Sequence, residues 1–317
     1  MSLLSVIVPC YNEQEALPYF YDAIVKVSDE MKAVWQDLEF EYLFIDDGSK
    51  DDTLAVIEGL REKDKRVRYV SFSRNFGKEA GLYAGLSNAR GDHGVTMDAD
   101  MQDPPALLPD LYRAVVEEGY DSAATRRVTR KGEPPLRSFF ARMFYRLINR
   151  MSAADIVDGA RDYRIMNRRM IDTIVGMKEY NRFTKGIYGW IGFDTKWIEF
   201  ENVERVAGET KWSFWKLFKY ALEGIIGFST IPLSMATWFG LLMSAISFIG
   251  ILFIIVKKLA FGDPTSGWSS MVCIILLVAG IQLFCMGVIG QYLSKAYLES
   301  KHRPIYIAKK TSDEDEK

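Results

Sequence analysis

The sequence predicts an α/β domain on a mainly parallel sheet, followed by a pair of helices long enough to span a membrane. Two observations carry this. Short apolar runs alternate with helical patterns over the first hundred residues, and residues 231–293 are almost entirely apolar. Charged residues instead crowd positions 1–210.

Ser5–Val8, Tyr42–Ile45, Val67–Phe72 and Gly94–Met97 are short and rich in Val, Ile, Tyr and Phe, as buried strands are. Between them, Glu15–Val34, Thr53–Glu62 and Lys78–Ala89 place apolar residues at helical spacing. Strand–helix–strand alternation implies parallel strands with helices on both faces. Ligands of such sheets bind beyond the carboxyl ends of the strands, where the polar clusters of this sequence fall.

Two apolar stretches follow, Ile231–Val256 and Trp268–Leu293. As a helix, each is roughly 39 Å long at about 1.5 Å per residue, more than a hydrocarbon core of about 30 Å. Gly262-Asp263-Pro264 supplies the turn between them. The alternative is a helical hairpin buried in a soluble domain, but nothing else in the chain is apolar enough to cover it. Lys211, Lys216 and Lys219 precede the first stretch, and Lys295, Lys301, Arg303, Lys309 and Lys310 follow the second. Only Lys257 and Lys258 lie between, so both termini are expected in the cytosol of a multi-pass protein. Leu3–Val8 is too short for a signal peptide and lacks a basic start, which agrees. Trp212–Phe228 mixes Trp, Leu and Ile with Lys and reads as a helix in the membrane interface, or as a plain amphipathic helix on the domain. The expected organisation is a catalytic domain over 1–210, an interfacial helix over 211–230, a hairpin over 231–293 and a tail over 294–317, disordered from Thr311.

Forty Lys and Arg against 42 Asp and Glu give a net charge of −2, without the basic excess of a nucleic-acid binder. Cys10, Cys273 and Cys285 have no metal-ligand spacing and imply a reducing compartment.

The strongest chemical signal is Asp98-Ala99-Asp100-Met101-Gln102-Asp103-Pro104-Pro105. After an apolar strand, Asp98 and Asp100 are expected on one side of an extended backbone, with Gln102 continuing the alternation. Such oxygens suit Mg²⁺ or Mn²⁺ shared with a diphosphate. A second cluster, Asp46-Asp47-Gly48-Ser49-Lys50-Asp51-Asp52, ends another strand. Helix capping could account for Asp51 and Asp52, but not for Asp46. Pro9, Tyr11, Asn12 and Glu13 end the first strand, and these carboxylates suit ribose hydroxyls or a base N–H.

Val8-Pro9-Cys10-Tyr11-Asn12-Glu13, Asp46-Asp47-Gly48-Ser49, Asp98-Ala99-Asp100 and Gln102-Asp103-Pro104-Pro105 together resemble the family 2 glycosyltransferases of GT-A (Rossmann-like) fold. Within them the chain is most similar to the polyprenyl-phosphate glycosyltransferases, over nearly its whole length. The resemblance implies that Pro9, Tyr11, Asn12, Glu13, Asp46 and Asp98 hold the nucleotide, and that Asp98, Asp100 and Gln102 hold the metal. It implies catalytic roles for Asp100, Arg126 and Asp162, phosphate contacts for Arg126, Arg137 and Arg142, and a basic element, Arg205 and Lys211, over the diphosphate. It also implies a UDP-sugar donor, an undecaprenyl (polyprenyl) phosphate acceptor, a bacterial plasma membrane location and a homo-oligomer, commonly a tetramer.

Elementary chemistry supports part of this. Arginine donates two parallel hydrogen bonds to phosphate, and Arg126–Arg150 is rich in it, although Arg137–Arg150 could also rest on lipid headgroups. A monoalkyl phosphate has a second pKa of about 6 and needs little help losing a proton, so Asp162 is expected to orient groups more than to act as a strong base. Two rival readings remain. A processive polysaccharide synthase would carry a Gln-x-x-Arg-Trp element, which none of the five glutamines supplies. An inactive nucleotide-sugar-binding scaffold would have no need of the intact acidic set.

Overall fold

The computed structural model describes residues 1–127, 157, 159–200, 226, 229–261 and 267–313. Strands β1 (Ser2–Cys10), β2 (Leu38–Asp46), β3 (Val67–Phe72) and β4 (His93–Thr96) alternate with helices α1 (Leu17–Val34), α2 (Thr53–Lys63) and α3 (Lys78–Asn88). Helix α4 (Leu108–Val116) then leads to β5 (Ser122–Arg127), β6 (Ala160–Asn167), α5 (Arg168–Gly176), α6 (Thr184–Trp190) and β7 (Thr195–Phe200). Two long helices, α7 (Ile231–Phe261) and α8 (Trp268–Ser300), precede a last strand, β8 (Ala308–Thr311). The strands form one sheet in the order β7-β5-β6-β4-β1-β2-β3-β8.

The expected strands and helices of the first hundred residues all form, and β1 to β4 are mutually parallel where they pair. Strand β6 runs antiparallel between β4 and β5. Successive side chains of β1 serve opposite faces. Leu4, Val6 and Val8 pack with Leu17, Phe20 and Ile24 of α1 and Leu111 of α4. Ile7 packs on the other face with Ala80 and Ala84 of α3 and Met170, Ile171 and Ile174 of α5. Each fully buried aliphatic side chain of this kind contributes about 1.5–3 kcal/mol. Gly85 is needed for that packing, because a Cβ there would lie 2.1 Å from Ile7 Cγ2.

Helices α7 and α8 are long and apolar enough to cross a membrane, through Ile231–Gly250 and Leu277–Ser300. Trp238, Phe248, Leu259 and Phe284 are exposed, so the hairpin is not the buried core of a soluble domain. Both helices outrun the expected limits at Val256 and Leu293, reaching Phe261 and Ser300. Their outer ends are close together, since Tyr292 Oη donates to Ser229 O at 2.6 Å. The Glu299 carboxylate accepts the backbone N–H groups of Tyr180 and Asn181, both at 3.0 Å, and so fastens the end of α8 to the domain. The interfacial helix expected over 211–230 lies almost wholly outside the described residues.

The expectation of disorder needs correction at Thr311–Asp313, while residues 314–317 lie outside the described residues. After α8 the chain returns to the sheet, where Tyr306 stacks on Phe72 with ring centroids 4.8 Å apart and β8 pairs antiparallel with β3. Ser312 is buried, and Asp313 meets the Arg68 guanidinium at 2.8 Å. Composition alone reads this segment as solvated. What holds it is an unfilled sheet edge and a buried arginine, neither of which is local to it.

Candidate active site

The three clusters that open with Pro9, Asp46 and Asp98 sit at the carboxyl ends of β1, β2 and β4, as parallel strands require. At β2, Asp46 is 2% exposed and accepts Ser49 N–H at 2.9 Å and Ser71 Oγ–H at 2.7 Å. Its geometry is therefore that of a loop organiser with both oxygens engaged. Asp47 accepts the N–H groups of Phe76 and Gly77 at 2.6 and 2.9 Å, tying this loop to the start of α3. Gly48 has φ +64°, and a Cβ there would lie 2.4 Å from the carbonyl carbon of Arg74. Capping goes to Asp51, which accepts from Thr53 N–H at 3.2 Å and Thr53 Oγ–H at 2.6 Å, and not to Asp52.

The end of β1 is stitched to the same loop. Asn12, at φ 55°, takes the Lys50 N–H on its Oδ1 at 2.9 Å and donates its own N–H to Ser49 Oγ at 3.0 Å. Glu13 N–H donates to Thr53 Oγ1 at 2.9 Å. Tyr11 is half-buried, and Pro9 lies against α3, 3.3 Å from where a Cβ on Gly81 would sit. Burial together with the nearby Glu13, Asp46 and Asp98 carboxylates pushes the Cys10 thiol well up, so acidic groups from three strand ends converge here.

The acidic run after β4 departs from the sequence expectation. The strand stops at Thr96, residues 99–103 turn, and Met101 adopts φ 59°. The even alternation expected for Asp98, Asp100 and Gln102 therefore fails. The turn itself groups them: Gln102 N–H donates to Asp100 Oδ1 at 3.1 Å, and Arg161 Nη2 donates to Gln102 Oε1 at 3.3 Å. Arg161 also pairs with Asp103 at 2.8 Å, a carboxylate that burial holds above its usual range despite this partner.

The antiparallel pairing of β4 with β6 aligns Thr96 with Arg164, so two residues further out Asp98 comes level with Asp162. Thr96 Oγ–H donates to the Asp162 carbonyl at 2.5 Å and fixes this register. Lys78 bridges the two carboxylates, 2.7 Å from Asp98 Oδ1 and 2.5 Å from Asp162 Oδ2. Lys185 approaches the other Asp162 oxygen at 3.7 Å. Burial opposes the charge on Asp162, but Lys185, Lys78 and Arg161 outweigh it and hold the carboxyl well below the usual range. Desolvation likewise opposes the charge on Lys78, and Asp162 and Asp98 outweigh it, raising the ammonium above its usual value.

Sequence reasoning did not single out Lys78, Arg161 or Lys185. Lys78 was within reach: Asn75-Phe76-Gly77-Lys78 follows β3, and the rule that ligands gather at carboxyl strand ends applies there too. Arg126 stands on β5 opposite Ala160, 3.9 Å from Glu199. Arg137, Arg142, Arg205 and Lys211 lie outside the described residues.

The described residues hold no group of three His, Cys, Asp or Glu arranged around one point as a closed metal cage. The donor set still fits Mg²⁺ or Mn²⁺, which bind through one or two carboxylates and complete their shell with water and phosphate. Lys78 shows that a cation is already favoured against Asp98.

The model of "Glycosyl transferase family 2" matches residues 5–175. The chain is 42% identical over 306 residues to the bactoprenol glucosyl transferase of Shigella phage SfV, covering 96% of this chain and 98% of that protein. It is 39% identical over 310 residues to the putative glycosyltransferase CsbB of Bacillus subtilis (strain 168), covering 98% and 92%. Among solved structures, glucosyl-3-phosphoglycerate synthase from Mycobacterium tuberculosis, in complex with Mn²⁺, UDP and phosphoglyceric acid, is 17% identical with a TM-score of 0.46, covering 71% of this chain and 76% of that one. Strand-end carboxylates, sheet order and a family match over more than half of the chain agree: this is a glycosyltransferase, and it belongs to family 2, with the GT-A fold.

Proposed function

We propose that the chain transfers one hexose from a UDP-sugar to undecaprenyl phosphate at the cytosolic face of a bacterial plasma membrane, with inversion. UDP-glucose is the first choice of donor and UDP-N-acetylglucosamine the second. The observation that carries this reading is the cluster of Asp98, Lys78 and Asp162 in a domain to which the end of the apolar helix α8 is fastened. Such an anchor suits an enzyme whose second substrate is a lipid. The name of the phage relative, a bactoprenol glucosyl transferase, supports the same acceptor and sugar.

In this reading Pro9, Tyr11, Asn12, Glu13 and Asp46 frame the nucleoside, while Asp98, Asp100 and Gln102 would hold Mg²⁺ or Mn²⁺. The ion, when bound, supplies positive charge to the diphosphate. Lys78 holds Asp98 and Asp162 in place and favours the ionised form of Asp162, and Arg161 orients Gln102. The acceptor oxygen bonds to the anomeric carbon as the bond from that carbon to UDP breaks. UDP departs with the electron pair, and a donor with an α linkage yields a β-linked lipid phosphate sugar. With its carboxyl held far below neutral pH, Asp162 positions cations beside the reacting phosphate and does not take a proton from it. Arg126, with Arg137, Arg142, Arg205 and Lys211, completes the phosphate contacts.

The test is to offer a panel of UDP-sugars with undecaprenyl phosphate and Mn²⁺ or Mg²⁺, and to identify products by mass. One hexosyl lipid phosphate from one preferred donor is expected. Polymer in its place would favour a processive synthase, and no UDP release with any donor would favour a binding scaffold.

A further inference from the structure

The two oxygens of Asp162 face different surroundings. One meets Lys78 and, through it, Asp98. The other faces Lys185, which with Arg161, Arg164, Tyr188 and Trp197 lines a cavity of about 280 Å³. Neither Lys78 nor Asp98 reaches that cavity.

Arg164 stands two residues from Asp162 on the same face of β6 and is 3% exposed. Its Nη1 donates to Ser122 Oγ at 2.9 Å and Thr195 Oγ1 at 3.1 Å, and its guanidinium covers the rings of Tyr188 and Trp197 at 4.5 and 5.2 Å. Its Nε has no partner, and no carboxylate lies within ion-pair distance of it among the described residues. Burial pushes this guanidinium down to about 10, which still leaves it charged at neutral pH. Asp162 favours this charge without touching it. Buried charges are ordinarily paired directly, so a buried guanidinium that lines a cavity and has no carboxylate in contact calls for an anion. Lys185 adds a second cation, with its ammonium 3.0 Å from the Ala160 carbonyl. The cavity's one lining carboxylate, Asp194, is exposed to solvent, which screens it. A neutral sugar hydroxyl would leave Arg164 without a counter-charge in contact, whereas a phosphate offers oxygens to both cations.

We propose that this cavity is a phosphate-monoester site, held by Arg164 and Lys185, that seats the acceptor's phosphate on the side of Asp162 away from Asp98. The proposal rests on the lipid-phosphate reading given above for its biological source, and on the cavity alone for its chemistry.

The full-length protein in detergent, as wild type, Lys185→Gln and Arg164→Lys, tests it. The acceptor KM is measured with a short-chain polyprenyl phosphate at saturating donor, and UDP affinity with Mn²⁺ by calorimetry. Losing a charged hydrogen bond predicts a rise in acceptor KM of about tenfold or more in each variant, with UDP affinity changed by less than about twofold. Inorganic phosphate should compete with the acceptor and not with the donor, and compete less well in both variants. An unchanged acceptor KM overturns the proposal, as does UDP affinity that weakens in step, which would assign the cavity to the donor. If Arg164→Lys does not fold, Lys185→Gln, a partly exposed position, decides alone. If wild type uses no polyprenyl phosphate, the lipid reading falls separately. Calorimetry with inorganic phosphate then decides the site: binding lost in Lys185→Gln supports it, and no binding to wild type removes it.

Discussion

Lys78 holds together two acidic residues that come from different parts of the chain, and in the proposed reading its ammonium competes with a metal ion for Asp98. Unit charges about 4 Å apart interact by about 4 kcal/mol at an effective dielectric of 20, and solvent at this half-exposed lysine leaves only part of that. Lys78→Gln should therefore bind Mn²⁺ more tightly without nucleotide, by about tenfold, or about 1.4 kcal/mol, as read from free Mn²⁺ by electron paramagnetic resonance. Asp162 permits a prediction about pH. Its carboxyl is depressed in the folded protein, so it stays ionised above the unfolded value of about 3.9 and does not titrate between pH 5 and 9. Activity should fall as pH drops through about 6 because the acceptor phosphate gains a proton. Asp162→Asn should lower activity at every pH and keep that inflection; an inflection that vanishes would make Asp162 the base. At Gly48, an alanine meets both a left-handed φ and the Arg74 backbone. Gly48→Ala should cost about 3 kcal/mol, seen as a lower melting temperature in detergent.

Strand β8 shows how a short element is held by what it covers. It closes one edge of the sheet and brings Asp313 to Arg68, which also bonds Glu41 at 2.8 Å. Glu41 and Arg68 are 5% and 6% exposed, so removing the arginine leaves a buried carboxylate without its counter-charge. Arg68→Met should cost about 3–5 kcal/mol and release β8, measured by thermal unfolding and by faster amide exchange at 308–313. The end of α8 depends on Glu299 in the same manner. Burial opposes the charge of that carboxylate, but the N–H groups of Tyr180 and Asn181 outweigh it and lower its pKa. The stability this contributes is present above the unfolded value of about 4.3 and is lost as pH falls through the lower folded value.

For the molecule as a whole, the chain leaves the domain before α7 and returns to it after α8, with β8 in the same sheet as β1. If the hairpin crosses a bilayer, its two outer ends must share one side. With cysteines placed singly, Gly267→Cys should react with an impermeant thiol reagent from outside intact cells, and Lys301→Cys only after the membrane is opened. The reverse pattern would overturn the cytosolic orientation.

The parallel strands, their helices and the apolar hairpin were legible in the sequence because each depends on local periodicity and composition. So were the polar strand ends, since turns there follow from residue type: Asp98, Asp100 and Asp46 were found that way. The tertiary structure alone decided which of these groups meet. Asp162 lies 64 residues from Asp98, and only the antiparallel register of β4 on β6 brings them level under Lys78. The bend at Met101 that regroups Asp100 and Gln102, the seating of the buried Arg164 guanidinium and the docking of β8 also depend on distant partners. Local pattern sets which side chains stand at a strand's end, while the pairing of strands far apart in sequence sets which of them face one another.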